Sequence, residues 1–380
     1  MWAEVNSWTH NIEGLNAMLG HLEESFSVLG GDSTIIELPS QEIVVEQGRV
    51  AQRPLGKALS IVKRSAAALR VFLSCHYDTV YPPDKHRQVV MCDSENRLYG
   101  PGVSDAKGGL VIMLKALEAF ESSSRADRLG WEILLNPDEE VGSPGSAPLL
   151  LDAARRNHVG LVFEPAFLDG TLVGARKGSG NFTAVFKGRA AHAGREPRAG
   201  RNAINAMAGF IVDLNAFPPD NEDLTINVGH VEGGGPVNVV PDLAMCRFNV
   251  RAADAEKQES FERHLSEIAE RVGKLDGVTL EITGRFGRPP KPLDQATVSL
   301  LEKIALCGRE LDLSINWRPS GGACDGNNLA AAGLPTVDSL GPRGGDIHSP
   351  REFVIPESLP ERAKLTALLL MKLASGEIRL

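Results

Sequence analysis

Residues 131–141 read WEILLNPDEEV: an apolar run, a proline that breaks it, and then three acids in a row, Asp138, Glu139 and Glu140. Trp131–Leu135 has the length and composition of a buried strand. Adjacent carboxylates repel one another and resist burial, so three at a strand end need water or cations for company. Upstream, Leu69–Ser74 is a second compact apolar run, and it ends at Cys75-His76-Tyr77-Asp78. Between the two, residues 107–120 place Leu110, Met113, Leu114 and Leu117 on one helical face. Strand, helix, strand is a crossover unit, which predicts an α/β fold with a largely parallel sheet. Open sheets of this kind gather ligands at the C-terminal ends of their strands. Downstream, a helix over 146–156 leads to the strand Val159–Phe163 and then Glu164.

Near Lys177 the pattern changes. Strands over 181–187, 224–231, 243–250 and 278–283 alternate with helices over 203–214 and 256–275. The order β-α-β-β-α-β predicts a split βαβ, ferredoxin-like α+β domain. Past Arg288-Pro289-Pro290 the earlier pattern resumes, with helices over 296–307 and 359–373 and a strand over 336–340. The expected organisation is therefore a discontinuous catalytic domain, 1–176 with 290–380, and an inserted domain, 177–289. The length of 380 residues agrees with two cores.

Composition excludes several classes of function. Hydrophobic residues make up 42% and charged residues 23%, ordinary for a globular protein. A formal net charge of −9 argues against a nucleic-acid partner. No apolar run reaches the length of a membrane span, and MWAEVNSWTHNIEGL lacks the basic start and apolar core of a signal peptide, so the expected location is the cytoplasm. Five cysteines with no CxxC pair fit reduced thiols.

The acidic triplet does not stand alone. Four other segments end an apolar run in a metal-type ligand: His76 and Asp78, Asp105 after GPGVS, Glu164 after GLVF, and His348 after TVDSLGPRGGDI. Two imidazoles and several carboxylates suffice for a pair of divalent metals.

In order along the chain, HYDTV, GPGVSDAKGG, NPDEEVGS, FEP, GRAAHAGREPRAGRNA, GGGPVNVVPD, SGGACDGN and the late His348 resemble the M20 metallopeptidases. Within that family the likeness is to the glutamate carboxypeptidase (carboxypeptidase G2) type. The resemblance implies two zinc ions, with cobalt or manganese able to substitute. Asp105 would bridge them, His76 and Glu164 would complete one, and Glu140 and His348 the other. It makes Glu139 the general base on a shared water and gives Asp78 the task of orienting His76. It also implies that the Asp105–Ala106 peptide is cis. His192, in the insertion, would reach across a homodimer to the oxygen of the tetrahedral intermediate. Asn238 resembles a donor to substrate carboxylate or oxyanion. Arg251 and Arg288 resemble arginines that grip the carboxylate of the released amino acid. Gly322 would let backbone approach the substrate. One departure is Ala106, where chains of this type often carry a second acid.

The reading that results is a metal-dependent amide hydrolase releasing a C-terminal amino acid, glutamate-like, from a peptidyl or N-acyl donor. An N-acyl-amino-acid deacylase of the acetylornithine or succinyl-diaminopimelate type uses the same chemistry and stays open. A catalytically silent binding protein on the same fold would need a broken ligand set, and here none of the ligands is missing.

Overall fold

A computed structural model describes residues 1–45, 48–86, 88–217 and 223–380. The chain divides into two compact units: Met1–Gln41, Pro54–Arg176 and Leu293–Leu380 form the first, Glu42–Arg53 and Lys177–Pro292 the second.

The first unit is built on a six-stranded sheet in the order Asp32–Glu37, Lys57–Lys63, Gly130–Asn136, Arg70–His76, Val159–Val162, Thr336–Val337. The last four strands run parallel, Lys57–Lys63 is antiparallel to Gly130–Asn136, and Asp32–Glu37 is antiparallel to Lys57–Lys63. Arg70–His76, the helix Gly108–Glu121 and Gly130–Asn136 form the expected crossover. Successive residues face opposite sides of the sheet. Val71, Leu73, Ile133, Leu135 and Leu161 enter one core with the helices Ile12–Phe26, Gly108–Glu121, Gln295–Glu310 and Ser358–Ser375. Phe72, Leu134 and Val162 enter another with Ala147–Arg156 and Asp325–Ala331. Because both faces are covered, these strands read as unbroken apolar runs rather than alternating ones.

The second unit has a four-stranded antiparallel sheet, ordered Leu224–Gly233, Leu243–Ala252, Gly178–Lys187, Thr279–Arg288. In chain order that is strands two, three, one and four, the ferredoxin-like arrangement. Helices Ala203–Asn215 and Ala255–Gly273 cover one face through a core rich in phenylalanine: Phe182, Phe186, Phe210, Phe248 and Phe261.

The expected boundaries need two corrections. Residues 42–53 belong to the second unit, not to the catalytic portion. Arg247 donates to the Val44 carbonyl at 2.9 Å, and a Cβ on Gly48 would stand 2.7 Å from Val185. The C-terminal boundary falls after Pro292 instead of Pro289, since Gly178 lies against Pro290. Neither contact has a local sequence signal.

Candidate metal centre

Three ligand-bearing segments leave neighbouring parallel strands at the same end. His76 is the last residue of Arg70–His76, Glu164 stands two residues past Val159–Val162, and Glu139-Glu140 lie just past Gly130–Asn136. Adjacent strands lie about 4.8 Å apart, so side chains at these ends converge without long reach. Asp105 comes from the segment that enters the helix Gly108–Glu121. Its backbone there is non-helical, and the Asp105–Ala106 peptide is cis. Gly109 lets this helix start press on the neighbouring strand end, because a Cβ there would stand 2.1 Å from the Phe163 carbonyl oxygen. His348 sits in the last loop with φ of 60°.

These residues form two groups that share one member. His76, Asp105 and Glu164 offer ligand atoms within 4.8 Å of one another, and so do Asp105, Glu140 and His348. His76 Nε2 is 3.0 Å from Asp105 Oδ1 and 3.7 Å from Glu164 Oε2. His348 Nε2 is 3.2 Å from both Asp105 Oδ2 and Glu140 Oε2. The two oxygens of Asp105 thus face opposite groups. Glu139 belongs to neither.

The electrostatics suit a pair of divalent cations. Burial, with the Asp105 charge beside it, pushes Glu140 up to about 7. Burial also raises Glu164 against the pull of His76. Hydrogen bonds to Asp105 and Glu140 lift His348 to about 11. Burial works against a charged His76, but Glu164, Asp105 and Asp78 outweigh it and raise its pKa. Glu140 Oε1 is buried with no hydrogen-bond partner. Despite its burial, Asp105 is held well below the usual carboxylate range by the imidazoles, while Glu140 and Glu164 stay raised. Such a set, with a buried oxygen lacking a hydrogen-bond partner, suits a nitrogen-and-oxygen site for divalent ions.

A buried polar frame holds these ligands. Asp78, fully buried, lies 3.3 Å from His76 Nδ1 through Oδ1. It also accepts the backbone N–H groups of Glu139 and Glu140, both at 3.2 Å, and the Thr9 hydroxyl at 2.7 Å. One carboxylate thereby orients an imidazole and caps the acidic turn. Asp138, the first of the three acids, turns inward and accepts from Gly145 N–H, Ser146 N–H and Ser146 Oγ at 2.7, 3.1 and 2.5 Å. Glu352, only 1% exposed, accepts from the backbone of the Asp105 segment. The sequence reading assigned nothing to Thr9, Asp138 or Glu352. Glu352 carried a signal, an acid wedged before Phe353-Val354 and four residues after His348, whereas Thr9 had none. Cys75 and Cys324 are buried outside both groups; Cys75 donates to the Ala106 carbonyl and Cys324 caps the helix Asp325–Ala331.

The remaining candidates divide between the units. Gly322, in the first, is exposed, and its carbonyl accepts from the buried Arg176, itself 3.0 Å from Asp338. In the second, His192 and Asn238 lie on neighbouring loops: His192 bridges to Val239, and Ala193 N–H donates to the Asn238 carbonyl at 2.9 Å. Both are exposed. His192 Nδ1 accepts from Gly194 N–H at 3.1 Å and Arg195 N–H at 3.2 Å. Arg251 and Arg288 both pair in register with Ser179, one from each side of its strand. Arg251 is half-buried and donates to Asn249; Arg288 is buried.

Comparison with known proteins identifies the family. Carboxypeptidase G2 of Pseudomonas sp. (strain RS-16) is 27% identical over 379 residues, covering 98% of this chain and 88% of that one. The succinyl-diaminopimelate desuccinylase of Dechloromonas aromatica (strain RCB) is 29% identical over 297 residues, 73% of this chain and 76% of that one. A tripeptidase crystal structure from Staphylococcus aureus shares the fold with a TM-score of 0.73 at 23% identity, covering 98% of this chain and 96% of that one. The profile of peptidase family M20/M25/M40 matches residues 72–372. That span takes in every ligand of both groups, and the chain belongs to this family of metal-dependent amide hydrolases.

Proposed function

We propose that the protein releases a C-terminal amino acid, glutamate-like, from a peptidyl or N-acyl donor, using two zinc ions. The observation that carries this reading is the shared Asp105, with one oxygen toward His76 and Glu164 and the other toward Glu140 and His348. A mixed imidazole and carboxylate set suits zinc, and cobalt or manganese would substitute. Bound by these residues, such ions would polarise a scissile carbonyl and lower the pKa of the attacking water.

The chain's own groups do the rest. Glu139, outside both ligand groups, takes the proton from the attacking water and returns it to the leaving amine as the carbon–nitrogen bond breaks. Asp78 keeps His76 and the Glu139-Glu140 turn in place. With two N–H donors on its Nδ1, His192 carries its proton on Nε2 and offers that N–H outward. It serves as the donor to the developing oxyanion of a second subunit, in a homodimer formed through the inserted unit. Arg251 and Arg288, side by side about Ser179, suit the carboxylate of the released amino acid, since a guanidinium fork binds carboxylate in two-point fashion. Asn238 supplies an amide donor and Gly322 an unhindered backbone. Five cysteines, all unpaired, support a reducing compartment, the cytoplasm.

Similarity to carboxypeptidase G2 along nearly the whole chain supports the glutamate-releasing reading. The desuccinylase relative supports a second, in which the enzyme selects the acyl group of an N-acyl amino acid. A panel that varies the acyl group and the amino acid independently, assayed with added zinc, separates them. Strict demand for a C-terminal glutamate with tolerance on the acyl side is expected. Strict demand for the acyl group would favour deacylation, and no amide hydrolysis at all would sink both.

A further inference from the structure

From the hydrogen bonds around its carboxylate, we infer that Glu352 is a positioning residue for the metal centre, locking the loops of Asp105 and His348 into one rigid frame. The inference rests on the metal reading above and assigns Glu352 no contact with substrate or with the reacting atoms.

Both oxygens of Glu352 are fully engaged, and only by donors. Oε1 accepts from the backbone N–H of Ser104 at 2.8 Å and of Asp105 at 2.9 Å. Oε2 accepts from Gly102 N–H at 3.1 Å and from the Tyr81 hydroxyl at 2.6 Å. Its backbone holds the same segment, since Gly100 N–H donates to the Glu352 carbonyl at 3.1 Å. Residues 100–105 are therefore gripped from one side by a single residue, up to the peptide N–H of the shared ligand itself. The grip extends to the second loop. Ser349, the neighbour of His348, accepts through its carbonyl from Glu352 N–H at 3.1 Å, and the same carbonyl lies 3.0 Å from Tyr81 Oη, whose single hydrogen goes to the nearer Glu352 oxygen. Tyr81 lies between the Glu352 carboxylate and the His348 loop, and Tyr81 and Glu352 are both buried.

Geometry explains why a carboxylate is needed. Two N–H groups converge on one oxygen, and an N–H with a hydroxyl on the other. Glutamine of the same shape must turn its NH₂ toward one of these pairs. Tyr81 could rotate to accept, but the N–H groups of Gly102, Ser104 and Asp105 cannot. A buried donor facing a donor is worse than a missing bond. Asp105 would then lose the backbone restraint that aims its two oxygens at the two ligand groups. Partners that orient ligands from outside typically set metal affinity by about 10–100-fold.

The test is a cobalt titration of the chelator-stripped full chain, read by calorimetry and by the visible absorption of the bound ion. Wild type should bind two ions. Glu352→Gln should bind at least one of them about tenfold more weakly or worse, with a changed visible band, while circular dichroism stays as in wild type. A residue that only supports the fold would lower the melting temperature and leave both affinities and the spectrum unchanged; that outcome overturns the inference. If Glu352→Gln does not fold, Tyr81→Phe carries the test. It removes one donor of four and should weaken cobalt binding about threefold, and unchanged binding overturns the proposal. Wild type binding no divalent ion would be a different failure, bringing down the metal reading first and this inference with it.

Discussion

Two buried carboxylate clusters in the first unit behave in opposite ways. Glu121 lies against Lys63 at 2.6 Å, Arg64 and the Trp131 indole N–H at 2.8 Å. Burial alone would raise its pKa, but these partners pull it down to about 2. Glu140 and Glu164 are raised although the imidazoles hold the neighbouring Asp105 well down, and Arg176, the cation near Glu164, is paired with Asp338 at 3.0 Å. Where the chain supplies the counter-charge, a buried acid is structural. Where it supplies imidazoles and withholds the strong cations, the charge has to come from outside.

The comparison breaks most visibly if the centre keeps its ions without the shared ligand. Asp105→Ala should lose metal by elemental analysis and have no measurable turnover, as should wild type stripped by chelator, with zinc or cobalt restoring only the latter. Retention of two ions by the variant would show that the groups do not depend on a common carboxylate. Next in size is the division between neighbours. Glu139→Gln should keep both ions and lose about 10²–10⁴-fold in kcat, while Glu140→Gln should lose metal as well. Equal metal contents would erase the distinction between them.

His192 sharpens the contrast from the second unit, because it is exposed and, among the described residues, belongs to neither ligand group. His192→Ala should lower kcat by about 10²–10³-fold, the usual worth of an oxyanion donor, with metal content unchanged. Mixing it with Glu139→Gln subunits should restore activity if the histidine acts across a dimer, since one site of each mixed dimer is intact. Failure of recovery despite proven subunit exchange confines His192 to its own chain. The smallest effect belongs to the structural cluster. Glu121→Gln should cost about 1–2 kcal/mol of stability and leave kcat and metal content alone. Its folded pKa lies below the usual 4.5, near 2, so its contribution is complete above about pH 4.5 and fades as pH falls toward 2. Variant and wild type should therefore converge in acid melts, and a constant gap down to pH 2 would contradict the ion-pair account.

Much of this was readable in the chain because the relevant signals are local. The crossover 70–136 announced itself through apolar runs and a helical stripe, and His76, Glu140 and Glu164 stand at or just past the ends of such runs. The second unit was equally legible from its alternation of two periods, helical and extended. What escaped were residues whose meaning depends on distant partners. Thr9 reaches Asp78 across 69 positions and Glu352 reaches Asp105 across 247. Residues 42–45 and 48–53 join the second unit through contacts with Arg247 and Val185, on the far side of the sequence.

The sequence by itself determined the fold class and the ligand types, because strand and helix periodicity and donor chemistry are properties of neighbouring residues. The family resemblance already implied that Asp105 is shared and that Asp78 orients His76; only the tertiary structure decided that Asp78 also holds the acidic turn and that Glu352 grips the loop of Asp105. Those facts rest on which loops the parallel strand ends and the start of the helix at Gly108 bring within a few ångströms. Closure over hundreds of residues is set by the packing of whole layers rather than by any local pattern.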